Sequence, residues 1–99
     1  MIKVEVTRDI ISIHAHAMYD DFGKDIVCAA VSSIVMTSVE SVAAFDKEAI
    51  DVNEEKDKVE IIINSHSQIT DKLILTMLNL LKELANKYPK NIKIINKEE

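Results

Sequence analysis

Asp25-Ile26-Val27-Cys28-Ala29-Ala30-Val31-Ser32-Ser33-Ile34-Val35-Met36-Thr37-Ser38-Val39-Glu40-Ser41-Val42-Ala43-Ala44 is the stretch on which the fold turns. Ile26, Ala30 and Ile34 form one apolar row, and Val31, Val35 and Val42 a second, at the three- and four-residue spacing of a helix. Asp25 is a suitable N-cap, so the pattern predicts a helix from about 25 to 44. Its β-branched content weakens helix propensity, and burial must outweigh that. Ala29, Ala30, Ser32 and Ser33 are small enough to let the helix approach a sheet closely.

Upstream, the period changes to two. Ile2, Val4 and Val6 alternate with Lys3, Glu5 and Thr7, then Ile11, Ile13 and Ala15 alternate with Ser12, His14 and His16. These read as strands at 2–8 and 10–16 separated by the short polar break Arg8-Asp9. Residues 17–24 hold the single glycine, Gly23, and read as a loop.

Downstream, the acidic residues 45–57 show no period and read as a solvated connection. Val59, Ile61 and Ile63 mark a third strand at 58–64, an interior one because Ile62 is apolar as well. Ser65-x-x-Gln68 has capping-box spacing and opens a helix at 66–87 with Ile69, Leu73, Met77, Leu80, Leu81 and Leu84 on its buried side. Pro89 stops it, and Ile92, Ile94 and Ile95 form a last strand at 91–96. The order ββαβαβ predicts an α+β two-layer sandwich, a four-stranded sheet with two helices on one face. Val4, Ile13, Val31, Ile34, Val35, Ile61, Leu73, Met77, Leu80 and Leu84 are the expected core.

Ninety-nine residues suit one domain, 1–99. A net charge of −5 with scattered lysines argues against a nucleic-acid partner, which calls for a clustered basic face, and suits a cationic peptide or basic protein better. One cysteine excludes an internal disulfide. The first residues lack a signal-peptide apolar block, and neither Ile26–Met36 nor Leu73–Leu81 approaches the roughly 18 apolar residues of a membrane span. The expectation is a cytoplasmic protein with no membrane partner.

Cys28 is the only thiol. With Asp25 as cap it is the third helical residue, among unpaired N–H groups that favour an anion. A thiol of ordinary pKa, about 8.5, is only about 3% thiolate at pH 7, so its surroundings decide its reactivity. His14 and His16 lie upstream, and the eight residues 17–24 span at most about 26–29 Å, so either imidazole can return to the helix start. Ile11 and Ile13 facing the helices would point His16 the other way unless the strand end twists or bulges. A lone cysteine on a small apolar helix is more often an inert core residue. Read from residues alone, a thiol–imidazole dyad and a zinc set of His14, His16, Cys28 and His66 stand level, and a non-catalytic interaction module with its acidic 46–57 segment on a basic partner is a third reading.

The stretch His16-Ala17, followed by Gly23-x-Asp25-Ile26-Val27-Cys28-Ala29-Ala30-x-Ser32, resembles the ribosomal-processing cysteine protease (Prp) family, whose hallmark is Gly-His-Ala followed by Gly-x-Asp-Ile-Val-Cys-Ala. The His-to-Cys spacing agrees, and the likeness runs on through a leucine-rich second helix to Lys87-Tyr88-Pro89-Lys90. Ala15 stands where the family has glycine. The resemblance implies a cysteine endopeptidase that removes the N-terminal extension of a large-subunit ribosomal protein, with Cys28 as nucleophile, His16 as general base and no metal or other cofactor. It implies that Ala15, Phe22, Gly23, Asp25 and Ser32 meet the substrate, that the loop before the helix lies over the site, and that the protein is a homodimer. Asp9, Asp20, Asp21 and Asp25 are all available to orient the histidine.

Overall fold

The computed structural model describes residues 1–14 and 22–97, with the backbone alone for residues 22–25. Five strands and two helices follow in the order β1 (Ile2–Val6), β2 (Ile10–His14), α1 (Phe22–Phe45), β3 (Ile50–Glu55), β4 (Lys58–Ile63), α2 (Gln68–Lys87) and β5 (Ile92–Asn96). The strands form one mixed sheet in the order β3-β4-β2-β1-β5. β1–β2, β2–β4 and β3–β4 pair antiparallel, and β5 adds to β1 in parallel. These pairings make β3 parallel to β2 and β5 parallel to β4, so α1 and α2 are each the crossover of a split βαβ unit.

The sheet has five strands where the sequence pattern predicts four. The added one is β3, within the segment expected to be a solvated connection. It is an outer strand with only Ile50 buried, so its hydropathy carries little signal, and backbone pairing to β4 holds it. The two-residue turn Lys56-Asp57 closes the hairpin with no residue in the left-handed region, and so without the Asn-Gly or Gly that usually betrays a hairpin. At its base, Asn64 donates its backbone N–H to Ala49 at 2.7 Å and its side-chain amide to Asp51 Oδ2 at 3.0 Å.

Alternation decides what faces the helices. Val4, Ile11, Ile13, Ile61, Ile63 and Ile92 are buried on one side of the sheet, against Val27, Val31, Val35 and Val42 of α1 and Ile74, Met77 and Leu81 of α2. Each such side chain contributes about 1.5–3 kcal/mol when fully removed from water. β4 is an interior strand, as its unbroken apolar run implies. Of the expected core, Ile34, Leu73 and Leu84 pack at its margin, and Leu80 is 42% exposed. The buried face of α2 is set by Thr70, Ile74, Met77 and Leu81, which rotates it away from Ile69 and Leu80.

Both helix starts differ from the caps predicted. Ser67, and not Ser65, caps α2, its side chain accepting the Thr70 N–H at 3.1 Å. α1 begins at Phe22, so Asp25 lies inside the first turn and residues 22–24 belong to the helix rather than to a loop. Over Ile26–Phe45 α1 is long and apolar enough to cross a membrane by length and composition, against the expectation from its shorter apolar core; four of its valines meet the sheet and α2.

Candidate functional site

Cys28 sits in the second turn of α1, the seventh residue counted from Phe22. It is partly exposed and packs at the edge of the core. In a helix that starts at Phe22 its N–H is already committed to the intrahelical ladder, so the expected place among unpaired N–H groups is not where it lies.

The thiol lines a cleft of about 510 Å³ between α1 and the β3–β4 hairpin. The apolar walls come from Ile13, Val31, Val35, Val39, Val52 and Val59, and the mouth carries Glu54, Glu55, Lys56, Asp57 and Lys58. Cys28, Ser32 and Met36 follow at four-residue steps along the α1 lip, which places them on one side of the helix. A cleft of this size with apolar walls and few polar groups is ordinary for a binding site. Sequence reasoning missed the hairpin wall; the available signal was the alternation Ile50, Val52, Glu54 hidden inside an acidic run.

Of the other expected site residues, Ser32 joins Cys28 in the cleft. Ala15 and His16 lie outside the described residues, as do Asp20, Asp21 and residues 17–21 of the loop expected over the site. Phe22, Gly23 and Asp25 are described only as part of the α1 backbone.

The two remaining histidines lie apart from Cys28. His14 is on the open face of the sheet, its Nε2 3.4 Å from Glu5 Oε1, an ion-pair distance that lacks a hydrogen bond's geometry. The Lys97 ammonium, 3.3 Å from Glu5 and assisted by His14, holds the Glu5 carboxyl below its usual range. His66 precedes α2, with Nδ1 2.7 Å from Asp71 Oδ1 and Nε2 2.8 Å from Asp9 Oδ1. Hydrogen bonds to Asp9 and then Asp71 raise its pKa against partial burial and the Arg8 charge. That triad holds the β1–β2 turn to the start of α2, at the opposite end of β2 from His14, so Asp9 is engaged there. Among the described residues no three His, Cys, Asp or Glu side chains form a metal cluster; of the alternative zinc set, His14 and His66 lie apart from Cys28 and from each other, and His16 lies outside the described residues.

What the cleft offers chemically is an accessible thiol beside apolar walls that shed water, open at one end to charged groups. The family model for the cysteine protease Prp matches residues 1–93. The ribosomal processing cysteine protease Prp of Mycoplasma genitalium is 32% identical over 100 residues, covering 99% of this chain and 97% of that protein. The crystal structure of an essential ribosomal processing protease Prp from Staphylococcus aureus with a substrate peptide superposes with a TM-score of 0.89 at 24% identity, over 98% of this chain and 100% of that one. The same protease with a covalently linked product peptide gives a TM-score of 0.86 at 25% identity, with the same coverage.

Proposed function

The chain belongs to the Prp family of cysteine proteases, and from that membership we propose that it removes the N-terminal extension of a large-subunit ribosomal protein, with Cys28 as nucleophile and His16 as base. The observation that carries the reading is the Cys28 thiol in the wall of an apolar cleft. Ile13 lines the same cleft and stands three residues before His16, a chain length of about 10–11 Å, which supports an imidazole within reach of the thiol. The relative from Staphylococcus aureus has been crystallised with a covalently linked product peptide, a product that a thiol nucleophile accounts for.

In this mechanism His16 takes the Cys28 proton as the sulfur attacks the scissile carbonyl, and the C–N bond breaks as the imidazolium returns that proton to the leaving amine. Water, deprotonated by His16, then cleaves the thioester and releases the acid. Because the Cys28 N–H is committed within α1, the oxyanion must draw its hydrogen bonds from other donors. Ala15, Phe22, Gly23, Asp25 and Ser32 are assigned to the substrate, and Ser32 adjoins the thiol in the cleft. The working form is assigned as a cytoplasmic homodimer; exposed Ile26, Met36 and Phe45 on α1 support a covered surface, and sedimentation at micromolar concentration tests it.

Incubation with the extended and mature forms of the ribosomal protein, read by mass spectrometry, tests the activity. The extended form should shorten and the mature form stay unchanged, with no shortening by Cys28→Ala. An extended form left intact by the wild-type protein overturns the proposal.

A further inference from the structure

The helix-facing side of the described sheet is apolar except at two places: Asn96 at the end of β5, and Glu54. Glu54 pairs with Val59, Val59 with Ile13, Ile13 with Val4 and Val4 with Ile94, so these five side chains form one row across all five strands on the same face. Four of the five are aliphatic, and the fifth is a carboxylate. Along β3 the inward residues are uncovered stepwise: Ile50 is buried, Val52 is 38% exposed and Glu54 is exposed. Glu54 therefore stands in the mouth of the cleft that also contains Cys28.

We infer that Glu54 is a specificity-determining residue that receives a lysine or arginine side chain of the peptide lying in this cleft, an inference that rests on the peptidase reading above. A basic side chain is an aliphatic stem with a cationic head. The cleft has the matching order, with Val35, Val39, Val52 and Val59 for the stem and a carboxylate where the head would emerge toward water. The mouth favours a cation as a whole. Glu55 and Asp57 share the mouth with Glu54, Lys56 is the opposing charge on the turn, and Lys58 is already paired with Glu60 at 3.5 Å. No ion pair engages Glu54 among the described residues. A wholly aliphatic substrate side chain would leave this carboxylate without a partner, and an acidic one would meet like charge.

A positional peptide series decides it. Peptides spanning the cleavage site of the extended ribosomal protein are prepared with Lys, Leu or Glu at each position in turn, and kcat/KM is compared for wild type, Glu54→Gln and Glu54→Lys. At one position the wild type should favour Lys over Glu; Glu54→Gln should reduce that ratio three- to tenfold, and Glu54→Lys should reverse it. The wild-type preference should shrink in 0.5 M salt, since the pair is partly exposed. Asp51→Asn, on the outer face of the same strand, should leave the ratio unchanged. Cleavage with a ratio indifferent to Glu54, or a shift by Asp51→Asn as large as by Glu54→Gln, overturns the inference and leaves the peptidase reading standing. If the wild type cleaves none of the peptides, the peptidase reading fails, and binding of the same series to Cys28→Ala, followed by fluorescence anisotropy, judges Glu54 alone. A Lys preference lost in Cys28→Ala/Glu54→Lys sustains it, and equal binding of Lys and Glu peptides overturns it.

Discussion

α1 and α2 lie side by side on one face of the same sheet and differ in how they are held and in what they leave open. α2 is fastened at its start: Ser67 caps its first turn, and His66 ties Asp71 to the β1–β2 turn. The closing bond at its end, Tyr88 N–H to the Leu84 carbonyl, is matched in α1 by Asp46 N–H to the Val42 carbonyl. Asp71 near its start and Lys87 near its end complement the helix dipole. α1 has no basic residue in its last turn, ends on Phe45 at 68% exposure, and forms one wall of an open cleft. The contrast divides the labour: both helices pack on the sheet, α2 is latched to the β1–β2 turn as well, and α1 adds a thiol and the apolar lip of an open cleft.

Four substitutions and one titration test that division. The largest effect belongs to α1 and is chemical. Cys28→Ala should abolish cleavage, because no second thiol exists, yet change stability by no more than about 1.5 kcal/mol, as only a partly exposed atom is lost. Peptide assay and urea melts on one sample read both; residual turnover, or a large loss of stability, would erase the distinction between the helices. Next is Met77→Ala on α2, where a fully buried side chain is removed. It should cost about 2–5 kcal/mol, visible as a lower urea midpoint, with the Cys28 alkylation rate of the folded fraction unchanged.

The cap is worth less. Ser67→Ala should cost about 1 kcal/mol by leaving the Thr70 N–H without its acceptor, and a urea midpoint equal to wild type would show that α2 is held by packing alone. A smaller, pH-dependent contribution comes from His66, whose pKa is raised in the folded state by Asp9 and Asp71 against Arg8. A raised folded pKa means that the contribution is complete below the unfolded value of about 6.5 and is lost as pH rises through the folded value. Thermal melts of wild type and His66→Gln from pH 5 to 9 should converge toward alkaline pH; parallel curves would remove the latch. Leu80→Gln, on the exposed side of α2, should stay within about 0.5 kcal/mol of wild type.

How far each part was legible follows from what its residues bury. β1, β2, β4 and β5 were readable because Val4, Ile11, Ile13, Ile61 and Ile92 alternate into a core. β3 was not, since its brief alternation of Ile50 and Val52 is lost in an acidic run and its turn lacks a glycine. The face of α2 was displaced because Thr70, a buried polar residue, occupies a core position that hydropathy assigns to Ile69. Cys28 and Ser32 were legible through the motif they share, and the structure puts both in one cleft. The opposite wall was illegible: Val52 and Glu54 belong to a hairpin whose turn carries no glycine, and that hairpin is seated by pairing of β4 with β2, far back in the chain, a register that no local pattern states.

β3 is also the last strand of its side of the described sheet, so one row of its peptide groups has no neighbouring strand. Such a row is a template on which another chain can crystallise in register, growing outward without limit. Asp51, Glu54 and Glu55 make a second copy of β3 an ill-suited partner, because juxtaposed edges would crowd six carboxylates. On this side of the sheet, resistance to edge pairing therefore rests on charge along one short strand. Acidification below the carboxylate range, or amide replacement of all three, would turn that rim from a repellent into a seed for fibres.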